Sequence, residues 1–303
     1  MGPQINEEEW ADINEVDFSG SLKESLDEIT PFRDIMISQV NEETGADESK
    51  VENAFKSVDS LRSKASGDWS PRQPSSDSRV WRYLNFTQLM SILERNSIWF
   101  SNISTFNDPY EGTIPRKNIE NEIEQIASES DIDMETARMV HEMVISGNKY
   151  NESGLVNCWN KSEYESAALW EQYIEATEGV AISTSVERLK RSLEDTPMEL
   201  TFGEVKYINY ETERIPDGIL PTFYHKRKSF QHENEYRISF LPESEDSTPV
   251  GEYINVDVDT LIDKLYLAPT TQNWFSDQVK EVLETYNVDC ELVQSDINSD
   301  PVY

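Results

Sequence analysis

Apolar residues in this chain come in short runs broken by polar punctuation, and the runs alternate between two periods. Val51, Ala54, Phe55, Val58 and Leu61 follow Asp47 at spacings of three and four, which predicts one apolar helix face. Thr30-Pro31 offers a cap and a first-position proline for an earlier helix over 30–40. The stretch 66–78, SGDWSPRQPSSDS, is rich in Ser, Pro and Gly and reads as a linker. Beyond it the period shortens. Val80-Trp81-Arg82-Tyr83-Leu84 suits a strand, and Thr87 is positioned to cap a short helix bearing Leu89, Met90, Ile92 and Leu93. A second strand at Ile98-Trp99-Phe100 runs into a turn at Asn107-Asp108-Pro109.

Two acidic helices are predicted over 116–130 and 133–146, followed by a strand over 155–159. Ser162 and Glu165, at capping-box spacing, predict a helix that carries Ala168, Leu169, Trp170 and Tyr173 into a core. Strands at 179–183, 202–208, 235–241 and 252–256 follow, with a helix at 186–193. A short strand near Leu265, a helix over 273–286 and a strand over 289–293 complete the pattern. Strands and helices interleave irregularly, and no Gly-rich phosphate loop follows the first strand. That argues for an α+β fold with a mixed or split sheet and flanking helices, not a doubly wound one. The expected organisation is an acidic helical extension with its Ser/Pro-rich linker over 1–78, packed on the main domain or on a protein partner, and a main α+β domain over 79–303.

Charge changes the picture most. Asp and Glu number 59 against 26 Lys and Arg, a formal net charge of −33 distributed along the whole chain. Such a chain repels itself in dilute buffer, whereas molar salt shortens the Debye length to about 3 Å and screens that repulsion. An acidic disordered chain would not carry 7 Trp, 13 Tyr and 11 Phe, so we expect a folded, halophilic protein. The net field disfavours duplex DNA and anionic membranes as partners. Two cysteines in apolar surroundings, an acidic N-terminus without an apolar leader, and no run near the ~18 apolar residues of a membrane helix predict a cytoplasmic location.

Against that background one basic island stands out: His225-Lys226-Arg227-Lys228, continued by His232 and Arg237. Clustered cations in an acidic chain predict an anionic small molecule or nucleotide there, unless neighbouring carboxylates neutralise them in surface pairs. Glu233 and Glu235 alternate across one residue, so a strand would put both on one face, where repulsion raises one pKa and suits acid and base work. They could equally pair with Lys226, Arg227 and Arg237. Asn107, Asp108 and Glu111 belong to a turn closed by Gly112 and are expected to line a cleft. His141, His225 and His232 lack metal-ligand spacing, Cys158 reads as core, and no nucleophile elbow is present.

Several of these segments occur together in a known family. Trp81-Arg82-Tyr83, Ile98-Trp99-Phe100-Ser101, Phe106 through Gly112, Cys158-Trp159, Glu165-Ser166, Leu169-Trp170, Gly179 through Ile182 and Lys226 through Arg237 resemble the prokaryotic family catalogued only as domain-of-unknown-function family 2971. That family name implies no chemistry. A more remote resemblance is to ADP-ribosyltransferases of the Arg, Ser-Thr-Ser, Glu-x-Glu type, whose order is matched by Arg82, Ser183-Thr184-Ser185 and Glu233-Asn234-Glu235. The likeness implies an NAD-consuming transferase in defence or toxin biology. Arg82 would grip the dinucleotide phosphates, Ser183 would orient the glutamates, and Trp81 or Tyr83 would stack on nicotinamide. Glu235 would hold the ribose as charge develops, and Glu233 would position the acceptor. The alternatives are a non-catalytic interaction or sensor protein, and a metal-dependent nuclease or phosphohydrolase using Asp108, Glu111 and the glutamates.

Overall fold

The helical part of the protein and its sheet arise from different stretches of chain than the linear pattern suggests. The computed structural model describes residues 22–63, 69–147, 154–173, 178–242 and 249–299, and these form two units. One takes residues 22–63 together with 119–147; the other takes 69–118, 154–241 and 250–299.

The first unit is built from helices α1 (Leu22–Thr44), α2 (Glu48–Ser63), most of α4 (Arg116–Ser130) and α5 (Met134–Gly147). Gly45 at φ +70° ends α1, and Asp47 Oδ1 accepts from Ser49 N at 3.0 Å to start α2. Val51, Ala54, Phe55 and Val58 are buried as their spacing requires, against Ile37, Val40, Ile123, Ile126, Ala137 and Val140. A shared apolar core therefore takes both acidic helices out of the main domain, and the simple boundary at residue 78 becomes a discontinuous unit. Helix α1 also begins before Pro31, which lies inside it although proline has no N–H to donate to the carbonyl of residue 27. The acidic lead-in over 1–21 and the last residues lie outside the described residues.

The second unit holds a nine-stranded mixed sheet. Its main path runs β11 (Glu291–Gln294), β10 (Lys264–Leu267), β4 (Gly179–Ser185), β1 (Arg79–Asn85), β3 (Leu155–Lys161), β2 (Ser97–Asn102) and β9 (Gly251–Asn255). Strand β8 (Glu235–Phe240) pairs with β3, and β5 (Thr201–Glu204) with β8. Only β10 and β11 pair in parallel within it. One edge of β3 runs along β8 from Leu155 to Asn160; the other is shared, with β1 at Trp81↔Asn160 and β2 at Ser101↔Val156. The protein is thus α+β, with flanking helices.

Period-2 alternation assigns the two faces. Val80, Leu84, Val180, Ile182, Trp159, Tyr236 and Ile238 share one core with α3 (Phe86–Arg95), α7 (Val186–Arg191) and α10 (Asn273–Tyr286). Trp81, Tyr83 and Ala181 face the other way and pack on Leu169 and Trp170 of α6 (Ala167–Tyr173). Helix α3 is capped by Asn85 in a reciprocal box with Gln88, two residues earlier than the expected cap at Thr87. Helix α6 starts after Glu165, and only Leu169 and Trp170 of its expected core face are buried; Ala168 and Tyr173 are exposed, because seven residues bury a single turn's worth of side chains.

The expected strand over 202–208 breaks at Val205, whose N–H turns to Glu235 O at 2.9 Å. Its second half, β6 (Lys206–Ile208), pairs in parallel with β7 (His225–Arg227) in a separate two-stranded sheet. Residues 69–78 are docked and not a free linker. Trp69 packs on Tyr224 and His225, Glu204 N donates to Arg72 O at 2.8 Å, and Val186 N donates to Ser78 O at 3.0 Å. Residues 66–68 of the expected linker lie outside the described residues.

Candidate functional site

Three carboxylates and two cations meet where β7, β8 and the turn after β2 converge. Strand β7 delivers Lys226, and a 3-10 turn over Lys228–Glu233 follows it. Asn234 then adopts φ +39°, a left-handed conformation that asparagine tolerates, and turns the chain into β8 at Glu235. Glu233 and Glu235 are therefore not neighbours on one strand face, yet the turn brings both carboxylates to the same ammonium. Lys226 Nζ lies 2.6 Å from Glu233 Oε2, 2.7 Å from Glu235 Oε1 and 2.9 Å from Glu111 Oε1. Arg237, two residues along β8, donates from Nε (3.1 Å) and Nη2 (2.7 Å) to Glu235 Oε2 and from Nη1 to Glu111 Oε2 at 3.1 Å. Its Nη1 also donates to Phe223 O at 2.7 Å.

Glu111 reaches the cluster because Asp108 folds the turn: Tyr110 N donates to Asp108 Oδ1 at 3.1 Å and Glu111 N to Asp108 O at 3.0 Å. Gly112, at φ +71°, then takes the chain away through backbone angles that side chains resist. Asp108 is itself held by Arg227, whose Nε and Nη2 contact its two oxygens at 3.1 and 2.7 Å, and the guanidinium lies over the Tyr110 ring. Asn107 is exposed. Glu111, Lys226, Glu233, Glu235 and Arg237 all retain 7 % or less of their surface, and Arg237 none.

The basic island is thereby reassigned. Lys226, Arg227, Lys228 and Arg237 each hold a carboxylate of this chain, Lys228 that of Glu213, while His225 is buried with Nδ1 at 2.7 Å from Pro221 O. It is counter-charge to buried acids, not an open cationic patch for a free anion.

Three acids against two bases leave one negative charge in excess, and the acids divide it unequally. Burial opposes ionisation of Glu235, but Arg237 and Lys226 outweigh it and hold this carboxyl well below the usual range. Burial raises Glu233, and a hydrogen bond with the Glu235 carboxyl raises it further. Burial likewise opposes the Lys226 ammonium, but Glu235 and Glu111 keep it charged. The result is a Glu235 held towards its ionised form beside a Glu233 that releases its proton less readily than a free carboxyl. Such divergence within a carboxyl pair separates base from acid.

The other expected participants are placed elsewhere. Arg82 lies on the Val80–Leu84 face of β1, donates from Nη1 to Cys158 O at 2.9 Å and stands over the Trp159 ring. Ser183 is on the opposite face, opposite Trp81, and its hydroxyl accepts from Arg79 Nη1 at 2.9 Å. Two strands, β1 and β3, separate Ser183 from Glu235, so it does not orient the glutamates. Ser185 caps α7 through Arg188 N. Trp81 is engaged with Tyr266 and Ser162 O, and Tyr83 with Trp170 and Ser166 N; burial pushes the Tyr83 hydroxyl up to about 12. Neither ring is free to stack on a ligand. Burial also raises the Cys158 thiol, which removes it as a nucleophile.

The structure adds groups that the linear pattern did not flag. Asn160 sits opposite Glu235 across β3 and β8 and donates from Nδ2 to Glu233 O at 2.6 Å. Gln172 Nε2 lies 3.4 Å from Glu233 Oε1, and Tyr207 accepts the Glu235 N–H at 2.8 Å. A concavity between Leu93, Asn96, Val256 and Tyr286 shares no residue with this cluster. Among the described residues, no group of three or more His, Cys, Asp or Glu is placed to hold a metal ion, the three glutamates being turned onto Lys226. Among the same residues, no helix is long and apolar enough to cross a membrane. No protein-family model matches the chain and no curated protein matches it, so both resemblances rest on the quoted residues alone.

Proposed function

We propose that this protein is a glycosyl-transferring enzyme that cleaves the nicotinamide–ribose bond of NAD, with Glu235 and Glu233 at its reaction centre. The observation that carries the reading is the unequal setting of the carboxyl pair: Glu235 is held by both Lys226 and Arg237 at 2.7 Å, whereas Glu233 shares only the Lys226 ammonium at 2.6 Å, so the two are pushed in opposite directions, Glu235 down and Glu233 up. Cleavage of a ribosyl C1′–N bond builds positive charge on the sugar, and a fixed carboxylate in a water-poor site favours that charge over the neutral ground state. The electron pair of the broken bond leaves on the nicotinamide nitrogen. An acceptor oxygen then bonds to C1′, and its proton passes to the ionised carboxylate and out to solvent. Glu233 positions the acceptor, and Lys226 and Arg237 act through Glu235 by fixing its charge and direction.

Substitution of Glu235 by Gln keeps the shape and removes the charge. Nicotinamide release from NAD, followed in molar KCl, is expected to fall by at least ~10²-fold. Release that persists in the variant, or is absent from the wild type, refutes the proposal. One observation favours a second reading. Both cations of the cluster are answered from within the chain, as in a structural ion network, and the protein would then be a non-catalytic interaction protein. That reading predicts an Glu235→Gln variant that is less stable and a wild type that turns over no NAD.

A further inference from the structure

Buried polar atoms nearly always have a partner, so a buried acceptor without one marks a place where something is missing. Asn160 is 8 % exposed, and its Oδ1 is buried with no hydrogen-bond partner. The amide cannot be turned to hide the deficit. Its Nδ2 donates to Glu233 O at 2.6 Å, and a flipped amide would set oxygen against oxygen there. Nor can the neighbouring cations supply the proton. Lys226 donates to Glu233 and Glu235 and stands 2.9 Å from Glu111 Oε1, and Arg237 is committed to Glu235, Glu111 and Phe223 O. Asn160 faces Glu235 on one side and Trp81 on the other, so its backbone is one strand spacing, about 5 Å, from that of Glu235, and both side chains leave the sheet on the same face.

We infer that Asn160 reads the substrate, its Oδ1 accepting an N–H from a planar primary carboxamide bound beside the glutamate pair. The inference rests on the glycosyl-transfer reading and names the part of the substrate that this site recognises. An acceptor held in one orientation discriminates sharply: a carboxamide satisfies it, a methyl ketone of the same shape leaves it unpaired, and a carboxylate sets a second acceptor against it. Gln172, which is exposed, stands 3.4 Å from Glu233 through its Nε2 and marks the side of the pair nearest solvent.

The test separates binding from turnover. Nicotinamide, 3-acetylpyridine and nicotinate are titrated against the full chain in molar KCl by tryptophan fluorescence, with wild type and Asn160→Ala. The expected result is a preference of about 10- to 100-fold for nicotinamide over 3-acetylpyridine in the wild type, reduced to less than about twofold in the variant. Equal binding of the amide and the ketone overturns the inference, as does failure of nicotinamide to bind. The wild-type comparison decides the matter even if the variant does not fold. The dinucleotides carrying the same three rings are then assayed for cleavage. Turnover of the carboxamide and ketone dinucleotides at equal rates leaves the glycosyl-transfer reading standing without this inference. Selective nicotinamide binding with no cleavage of any dinucleotide leaves the inference standing without that reaction.

Discussion

Replacing Lys226 by Met removes one ammonium from three carboxylates while keeping the length of the side chain, and the structure makes the consequence calculable. Its Nζ is the common contact of Glu111, Glu233 and Glu235, all buried, and after its loss only Arg237 opposes three acids. Removing one partner of a buried pair costs about 3–5 kcal/mol because the surviving charge is left uncompensated. In a unit of this size each kcal/mol moves Tm by about 2–4 °C, so a drop of about 6–20 °C is expected at pH 7. The sign of the pH dependence follows from Glu235. Its native pKa is depressed, so the stability it contributes is present above its ordinary value of 4.5 and is lost as pH falls below it. Without Lys226 that depression shrinks and the acids take up protons sooner. The deficit of the variant is therefore largest at neutral pH and narrows towards pH 4.5. Tryptophan fluorescence is a suitable probe, because Trp69, Trp81, Trp99, Trp159, Trp170 and Trp274 all belong to the unit that holds the cluster. Adding Glu111→Gln to the variant should recover part of the loss, since the two sites are in contact. A loss below ~1 kcal/mol, the range of exposed ion pairs, or a deficit that grows on acidification, refutes this account of the cluster.

Glu233 behaves in the opposite sense. Its raised native pKa means that its contribution is present below 4.5 and is lost as pH rises through the native value, so Glu233→Gln should leave stability at pH 8 unchanged or higher and flatten its slope with pH, as read from urea midpoints. Asn85→Ala removes the side-chain half of the capping box on α3, the bond from Gln88 N, and should lower stability by about 1 kcal/mol in the same assay, with Thr87→Ala nearly silent. The charge of −33 predicts that Tm rises as KCl is raised from 0.1 M into the molar range, and a flat thermal-melt series would contradict it.

The period of the apolar pattern made most of the sheet and the helices legible, because burial on one face imposes it. Val80 and Leu84, or Val51, Ala54, Phe55 and Val58, announce themselves by spacing alone. What the pattern could not show was where distant stretches meet. The acidic helices α4 and α5 have their own apolar faces, and nothing local in them says that the faces belong with α1 and α2 instead of the sheet. Strand breaks were hidden for a similar reason: Val205, between Glu204 and Lys206, looks like one more position of a continuous strand over 202–208, and only its hydrogen bond to Glu235 O marks the break there. In the candidate site, Glu233, Glu235, Lys226 and Arg237 could be singled out because their charges are close together in the chain. Asn160 and Gln172 could not, since a neutral amide on a strand or helix carries no local signal until its neighbours are known. Arg82 and Ser183 failed for a geometric reason, alternation having set them on opposite faces with Arg79 at the serine.

The salt response and the buried cluster together say what the basic island is for. Molar salt screens exposed charges over about 3 Å, so ion pairs on the surface of so acidic a chain hold little. Screening ions do not reach a lysine with 7 % of its surface exposed or an arginine with none. Cations used there keep their full effect whatever the solvent, and this chain places Lys226 and Arg237 where three acids must stay together. Their joint charge falls one short of the acids they face. A network meant only to neutralise itself would match its charges, whereas this one sets two cations against three carboxylates and favours the proton on Glu233 over Glu235. The deficit of one, more than the presence of the cations, is what makes the cluster a candidate for chemistry.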